Sequence, residues 1–107
     1  MTGPWGAGDP IHPGEILQTE FLGPHGLSKT RLARATGLSS SRLARLTRGR
    51  GRIGGEVAFL LGRAFHTTPE FWLNLQAHYD LERAQATIAP APVAHARTLG
   101  RQLRRAR

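Results

Sequence analysis

Residues 27–49, LSKTRLARATGLSSSRLARLTRG, predict two short helices joined by a tight turn. Ser28 and Ser39 each precede a run of helix-forming residues, and a serine at that position caps the first N–H groups of a helix. Gly37 is expected to end the first helix, because glycine enters left-handed backbone conformations at little cost. Leu38 then fills the turn. Neither helix is long enough to be stable alone, so the two must pack together and against the rest of the chain.

The apolar residues of this stretch indicate how the two helices meet. Leu32 and Ala33 lie on one side of the first helix, and Leu43 and Leu46 are three residues apart in the second. Residues at that spacing share one helical face, and the small Ala33 side chain lets the helices approach closely. This arrangement is the helix-turn-helix pattern. The alternative is a helical hairpin with a solvated basic face.

The opposite face of the second helix carries hydroxyl and guanidinium groups and no carboxylate. Such a surface suits phosphate oxygens and base edges. A flexible basic loop follows, and its arginines can lie along a sugar-phosphate backbone or simply be solvated. The candidate DNA-binding residues of the helix and the loop are Ser40, Ser41, Arg42, Arg45, Arg48, Arg50 and Arg52.

The positive charge of the chain is concentrated on this pattern. The 107 residues carry 15 lysines and arginines and seven acids, which gives a formal net charge of +8. Eight of the basic residues lie between Glu20 and Glu56, where the sequence has no acid, and five arginines lie in residues 93–107. A block of one sign at this position is expected of a surface that meets a polyanion.

Composition gives little support to other classes of function. Because the chain has no cysteine, disulfides and cysteine zinc sites are excluded. No apolar run approaches the roughly 20 residues of a membrane span, and no signal peptide opens the chain, so we expect a cytoplasmic protein without membrane contact. The five histidines are scattered, and none has the partner and glutamate of a zinc hydrolase helix. His12, beside a proline, is expected to start a helix.

These patterns predict a protein that is not an enzyme. No serine lies in the setting of a nucleophile with a base and an acid nearby. We therefore expect no catalytic residue, no metal site and no cofactor. A metal-dependent hydrolase that uses the histidines is the alternative from another class.

Three further helices are predicted around the central pattern. The first begins at Pro13, with Leu17 and Phe21 on its core face, and stops at Gly23-Pro24. The fourth covers residues 56–65. The fifth begins after the cap Thr68 and continues to about residue 83. The predicted fold is all-α, with five helices, of which the second and third form the helix-turn-helix.

The fifth helix has two apolar stripes. Its Phe71, Trp72, Leu75 and Tyr79 fall within one quadrant of a helical wheel, and its Leu73, Ala77 and Leu81 fall on the opposite side. One stripe serves the core of the protomer, and the other needs a second partner. We predict a homodimer whose seam contains Leu73, Ala77 and Leu81, with Trp72 assigned to the same seam. A deeply buried helix is the alternative.

The last part of the chain predicts a linker and a tail. Residues 89–92, Ala-Pro-Ala-Pro, form a semi-stiff spacer. The tail beyond it contains the apolar residues Val93, Leu99 and Leu103 among arginines. It forms either a basic amphipathic helix or no stable secondary structure. The predicted domains are a flexible arm over residues 1–10, a helix-turn-helix domain with a dimerising last helix over 11–84, and an Ala/Pro linker with an arginine-rich tail over 85–107.

From residue 12 to residue 81 the chain resembles the HigA-type antitoxins of bacterial toxin–antitoxin modules, within the lambda-repressor-like helix-turn-helix class. The segments that carry the resemblance are HPGEIL at 12–17, LARATGLSSSRLARLTRGR at 32–50 and TPEFWLNLQAHYDL at 68–81. The third segment is the most specific, because TPEFWLNLQ directly after such a pattern is hard to reach by chance.

The resemblance implies a homodimeric repressor that binds a palindromic operator in double-stranded DNA overlapping its own promoter. It also implies that the protein neutralises a co-encoded HigB-type toxin, an RNase that cleaves mRNA. The recognition helix becomes Ser39 to Thr47, and Lys29, Thr30 and Ser39 join the DNA-binding residues. Lys29 stands where related proteins often have a Gln or Thr that contacts phosphate. Ser40 stands where a base-reading Gln is common. The alternative is an orphan helix-turn-helix regulator without a toxin.

Overall fold

A computed structural model describes residues 9–105, and its regular secondary structure in that range is entirely helical. The helices within these residues are α1 (13–25), α2 (Lys29–Thr36), α3 (Ser40–Thr47), α4 (Gly55–Phe65), α5 (Pro69–Thr87) and α6 (Pro90–Arg105). The predicted all-α fold is confirmed, with the helix-turn-helix formed by the second and third helices. The arm predicted over residues 1–10 lies outside the described residues except for its last two positions.

Helix α1 begins with a reciprocal cap. The His12 Nδ1 atom accepts the Gly14 N–H at 2.9 Å, and the Glu15 carboxylate accepts the His12 backbone N–H at 3.1 Å. The two side chains thus satisfy backbone donors that the first turn leaves unpaired. The prediction that His12 starts a helix is confirmed.

The prediction that α1 stops at Gly23-Pro24 is wrong. The helix is α-helical over Pro13–Ile16, π-helical over Leu17–Leu22 and α-helical again over Gly23–His25, and it ends at Gly26. In the π-helical turn the Gly23 N–H bonds to the Gln18 carbonyl, five residues back. Because this turn is wider than an α-helical one, it relieves the clash that a proline ring makes with the preceding turn.

The helix-turn-helix has the predicted caps. The Ser28 hydroxyl accepts the Arg31 N–H at 3.1 Å, and the Ser39 hydroxyl accepts the Arg42 N–H at 3.1 Å. Gly37 adopts φ 80°, and its N–H closes α2 on the Ala33 carbonyl at 2.8 Å. The turn between the two helices therefore has the geometry that its residues predict.

The core lies between the helix-turn-helix and the pair α4 and α5. Its largest fully buried side chains are Trp72, Leu17, Leu22, Leu32, Leu43, Leu46, Ile53 and Leu61. Trp72 has no exposed surface, its ring lies 4.9 Å from that of Phe21, and its indole N–H donates to the Thr67 hydroxyl at 2.7 Å. The assignment of Trp72 to the dimer seam is therefore wrong. A side chain enclosed by its own protomer has no surface left for a partner.

The C-terminal part of the described chain differs from the predicted linker. Helix α5 continues beyond residue 83 to Thr87, and α6 begins at Pro90, so the Ala-Pro-Ala-Pro segment is the first turn of a helix. Proline is tolerated there because the first N–H groups of a helix have no intrahelical acceptor. Every residue of α6 is exposed. No helix within residues 9–105 is long and apolar enough to cross a bilayer.

Candidate nucleic-acid interface

Helix α3 is divided sharply into a buried face and an exposed face. Leu43 and Leu46 are enclosed by the core. The side chains of Ser40, Ser41 and Arg45 on the other side are exposed, and Arg42 is half-buried. The helix can therefore offer its hydroxyl and guanidinium groups to a ligand without disturbing the packing that holds it.

The exposed face of α3 and the loop after it line one groove. The polar side chains along this groove are Ser39, Ser41, Arg42, Arg45, Arg50 and Arg52. Six of the sequence-predicted DNA-binding residues therefore come together. Lys29 and Thr30 lie at the start of α2, Ser40 starts α3, and Arg48 ends it as an exposed C-cap residue. None of these four lines the groove.

Ser39 has a structural task beside any role in binding. Its hydroxyl oxygen accepts the Arg42 N–H and lies 3.4 Å from the Ser41 hydroxyl oxygen. Loss of a serine cap costs about 1 kcal/mol. A change at Ser39 would therefore disturb the start of α3 as well as the groove.

A carboxylate from α4 lies near the arginines of α3. The Glu56 carboxylate is 3.7 Å from the Arg42 guanidinium, and both side chains are substantially exposed. At that distance and exposure the pair contributes little to stability. The α3 sequence contains no acid, and the structure supplies one from the neighbouring helix.

Arg52 is paired more closely, with Asp80 of α5. Its two terminal nitrogens donate to the two carboxylate oxygens at 3.0 and 2.7 Å. The hydrogen bonds from Arg52 hold the pKa of Asp80 below the ordinary value of an aspartic acid, and Asp80 in turn raises the pKa of Arg52. The sequence predicts the same backbone contact for Arg50 and Arg52, whereas in the structure only Arg52 is hydrogen-bonded to Asp80.

Two buried polar side chains fix the loop that carries these arginines. Gln76 of α5 is only 3% exposed; its Oε1 atom accepts the Ile53 N–H at 2.8 Å, and its Nε2 atom donates to Asp80 at 3.0 Å. The His12 Nε2 atom is 2.9 Å from the Gly51 carbonyl oxygen. Because its Nδ1 atom already accepts a hydrogen bond, the Nε2 atom is the donor.

Sequence reasoning did not find Gln76. Its signal is a polar side chain one helical turn beyond Trp72, on the face of α5 that meets the core. Such a residue must find partners when it is buried. Gln76 satisfies both ends of its amide, one with the loop and one with Asp80, and the loop is thereby attached to α5.

The predicted seam residues of α5 lie on its outer side. Leu73 is 38% exposed, Leu81 is 56% exposed, and Ala77 between them is exposed. Within one protomer this stripe therefore remains uncovered.

As for metals, no group of three or more histidine and carboxylate side chains within residues 9–105 could hold an ion.

The fold and the groove together define a helix-turn-helix protein. A family model described as Helix-turn-helix matches residues 20–72. Antitoxin HigA-1 of Vibrio cholerae is 42% identical over 72 residues, which make up 67% of this chain and 68% of that protein. The chain belongs to the HigA-type antitoxins of the helix-turn-helix family.

Solved structures agree with this assignment. The antitoxin GraA superimposes with a TM-score of 0.71 at 45% identity, over 73% of this chain and 84% of that chain. The Pseudomonas aeruginosa antitoxin HigA, solved with the higBA promoter, superimposes with a TM-score of 0.70 at 40% identity, over 77% and 98%.

Proposed function

We propose that the protein is a homodimeric transcriptional repressor that acts as the antitoxin of a toxin–antitoxin module and binds its own operator. Helix α3 enters the major groove of double-stranded DNA. Two-fold symmetry then requires a palindromic operator with half-sites about 34–36 Å apart, or a multiple of that distance. The observation that carries the proposal is the groove of serines and arginines on the exposed side of α3.

The DNA-facing residues have different roles in this proposal. Arg42 and Arg45 project from the exposed side of α3, and at least one of them reads a base edge, since arginine pairs with guanine through two hydrogen bonds. Ser40 and Ser41 lie beside them. The residues that contact the sugar-phosphate backbone are Lys29, Thr30, Arg48 and Arg50, with Ser39 at the start of the recognition helix.

A footprint and two substitutions test the DNA-binding role. The intact protein should protect a palindromic segment upstream of its own gene. Arg42→Ala and Arg45→Ala should each be measured on that segment, and loss of a base contact should cost about 1–3 kcal/mol and relax specificity at one position. Arg63→Ala removes the same charge from an exposed position of α4 and serves as the control. If both α3 variants bind like the unchanged protein, these residues do not read the operator.

The toxin partner follows from family membership. HigA-type antitoxins neutralise an RNase that is encoded beside them, so the neighbouring gene product should co-purify with this chain and lose its mRNA-cleaving activity. If the neighbour is not an RNase and nothing co-purifies, the protein is an orphan helix-turn-helix regulator. Both roles belong in the bacterial cytoplasm, and neither requires a cofactor or a catalytic residue.

A further inference from the structure

Arg52 and Arg50 are two residues apart in the loop and line the same groove. Their guanidinium groups differ in whether a carboxylate is bound to them. Arg52 donates two hydrogen bonds to Asp80. Arg50 has no carboxylate within 4.0 Å among residues 9–105. A phosphate that approaches Arg50 meets an uncompensated charge, whereas one that approaches Arg52 must compete with a bidentate carboxylate already in place.

Gln76 of α5 supports both sides of the Arg52–Asp80 pair through its hydrogen bonds. Gln76 donates to the Asp80 carboxylate, and it also accepts the N–H of Ile53, the residue that follows Arg52. Exposed ion pairs are often weak because two long side chains must lose their freedom to meet. Here one buried amide fixes the carboxylate and the backbone next to the guanidinium, so less freedom remains to be lost.

A charge withheld from phosphate affects both kinds of DNA binding. Sequence-independent binding depends almost wholly on phosphate neutralisation, and operator binding adds contacts to base edges. Because a phosphate contact is made to any sequence, withholding one lowers both affinities by about the same factor and leaves their ratio unchanged. It therefore sets the overall affinity for DNA and the salt dependence of that affinity.

We propose that Asp80 limits the electrostatic part of DNA binding, because it withholds Arg52 from the DNA backbone and so lowers affinity and salt dependence for every sequence. Gln76 is the positioning residue that holds Asp80 in place. This inference rests on the proposed DNA-binding function of the groove, and it adds an acid of the last core helix to the residues that set the strength of DNA binding.

The first test compares Arg50→Met with Arg52→Met in the full-length protein. Binding to a duplex of scrambled sequence is measured between 50 and 200 mM salt. Each phosphate contact adds about 0.9 to the salt slope, which corresponds to about threefold in affinity across that range. We expect Arg50→Met to flatten the slope and Arg52→Met to leave it nearly unchanged. Equal flattening by the two variants would overturn the proposal.

The second test releases Arg52. Asp80→Asn keeps the size of the side chain and an acceptor for Gln76 but removes the charge. It should tighten binding to scrambled DNA and to the operator by about the same factor, and it should steepen the slope by about 0.9 per protomer. Glu82→Gln removes the same charge from α5 without touching Arg52, and it is the matched control.

The double variant Asp80→Asn with Arg52→Met identifies the source of any gain. If Arg52 supplies the new contact, the gain disappears; if the gain survives, the charge of Asp80 acts on DNA directly and the proposal fails. Thermal unfolding shows whether Asp80→Asn folds, and the Arg50 and Arg52 comparison stands without it. An unchanged protein that fails to distinguish its upstream palindrome from scrambled DNA would contradict the proposed function itself, whereas a salt slope that does not respond to Asp80→Asn would contradict only this inference.

Discussion

At the residue scale, Gly14 lies where α1 and α3 approach each other closely. A Cβ atom built on Gly14 would lie 1.6 Å from the Leu46 carbonyl oxygen, so α1 rests directly on the end of the recognition helix. The sequence motif HPGEIL reveals the cap of α1 but not this contact. Position 14 therefore links the first helix to the orientation of α3.

Gly14→Ala should destabilise the protein, because the added methyl group forces α1 and α3 apart. Overpacking of this kind costs about 1–3 kcal/mol, and a backbone contact leaves little room to yield. Gly55→Ala is the control, because nothing lies within 4 Å of a Cβ atom there and the helical position favours alanine. Denaturant unfolding of the two variants should show a loss at Gly14 and no loss at Gly55.

The Arg52–Asp80 pair gives a second prediction at this scale. Because the pair lowers the pKa of Asp80, its stabilising effect is complete above the ordinary aspartate pKa and is lost only as pH falls through the lower folded-state value. A titration of the Asp80 carboxyl by NMR should therefore move upward in Arg52→Met. A pKa that does not change would mean that the two groups do not interact in solution.

At the element scale, the structure shows which features were local enough to predict. The caps Ser28, Ser39 and Thr68 and the stop at Gly37 depend on residues within one turn, and all four are present. The course of α1 through Pro24 depends on a π-helical turn before it, and no simple sequence pattern predicts such a turn.

The candidate site was predictable to a similar degree. The exposed face of α3 follows from the burial of two leucines, and its residues were identified. The partner of Arg52 is 28 residues away in sequence, so no local pattern could reveal it. The same holds for Trp72: a helical wheel places it opposite the stripe of Leu73, but only the packed rings of α1 and α4 show that its side of α5 is the buried one.

Helix α5 has an inner face that belongs to the core and an outer stripe that is still uncovered. Leu73→Arg should therefore dissociate the proposed homodimer, because it adds a charge to an apolar seam without touching the buried Trp72. Thr19→Arg, which adds the same charge at an exposed position of α1, should leave the dimer intact. Light scattering after size exclusion at tens of micromolar protein measures both variants. A Leu73→Arg protein that is still dimeric would place the seam elsewhere.

At the scale of the whole molecule, charge divides the chain into unlike parts. The helix-turn-helix and its loop carry eight basic residues without an acid between them, and α6 is again basic. Between these parts, Asp80 and Glu82 of α5 supply acids. We propose that the segment beyond α5 is a separate functional region, with the correction that α5 ends at Thr87 rather than near residue 84.

Helix α6 gives this region both arginine and apolar side chains on its exposed surface. Arg97, Arg101 and Arg104 are spaced four and three residues apart, which aligns them along one side. Val93, Leu99 and Leu103 remain exposed as well. The region can therefore act on nucleic acid through its arginines, or pack on another surface through its apolar residues.

Removal of residues 90–107 should lower affinity for DNA at low salt and reduce the salt slope by about 0.9 for each lost phosphate contact. It should spare the discrimination between operator and scrambled DNA, because no residue of α6 lines the groove proposed to read bases. Replacing Arg97, Arg101 and Arg104 together by Gln keeps the helix and should reproduce most of the change. Replacing Leu99 and Leu103 by Ser keeps the charge and should not. An unchanged slope in the truncated protein would exclude the DNA role of α6, and a loss of affinity confined to the Ser variant would assign the helix to packing instead.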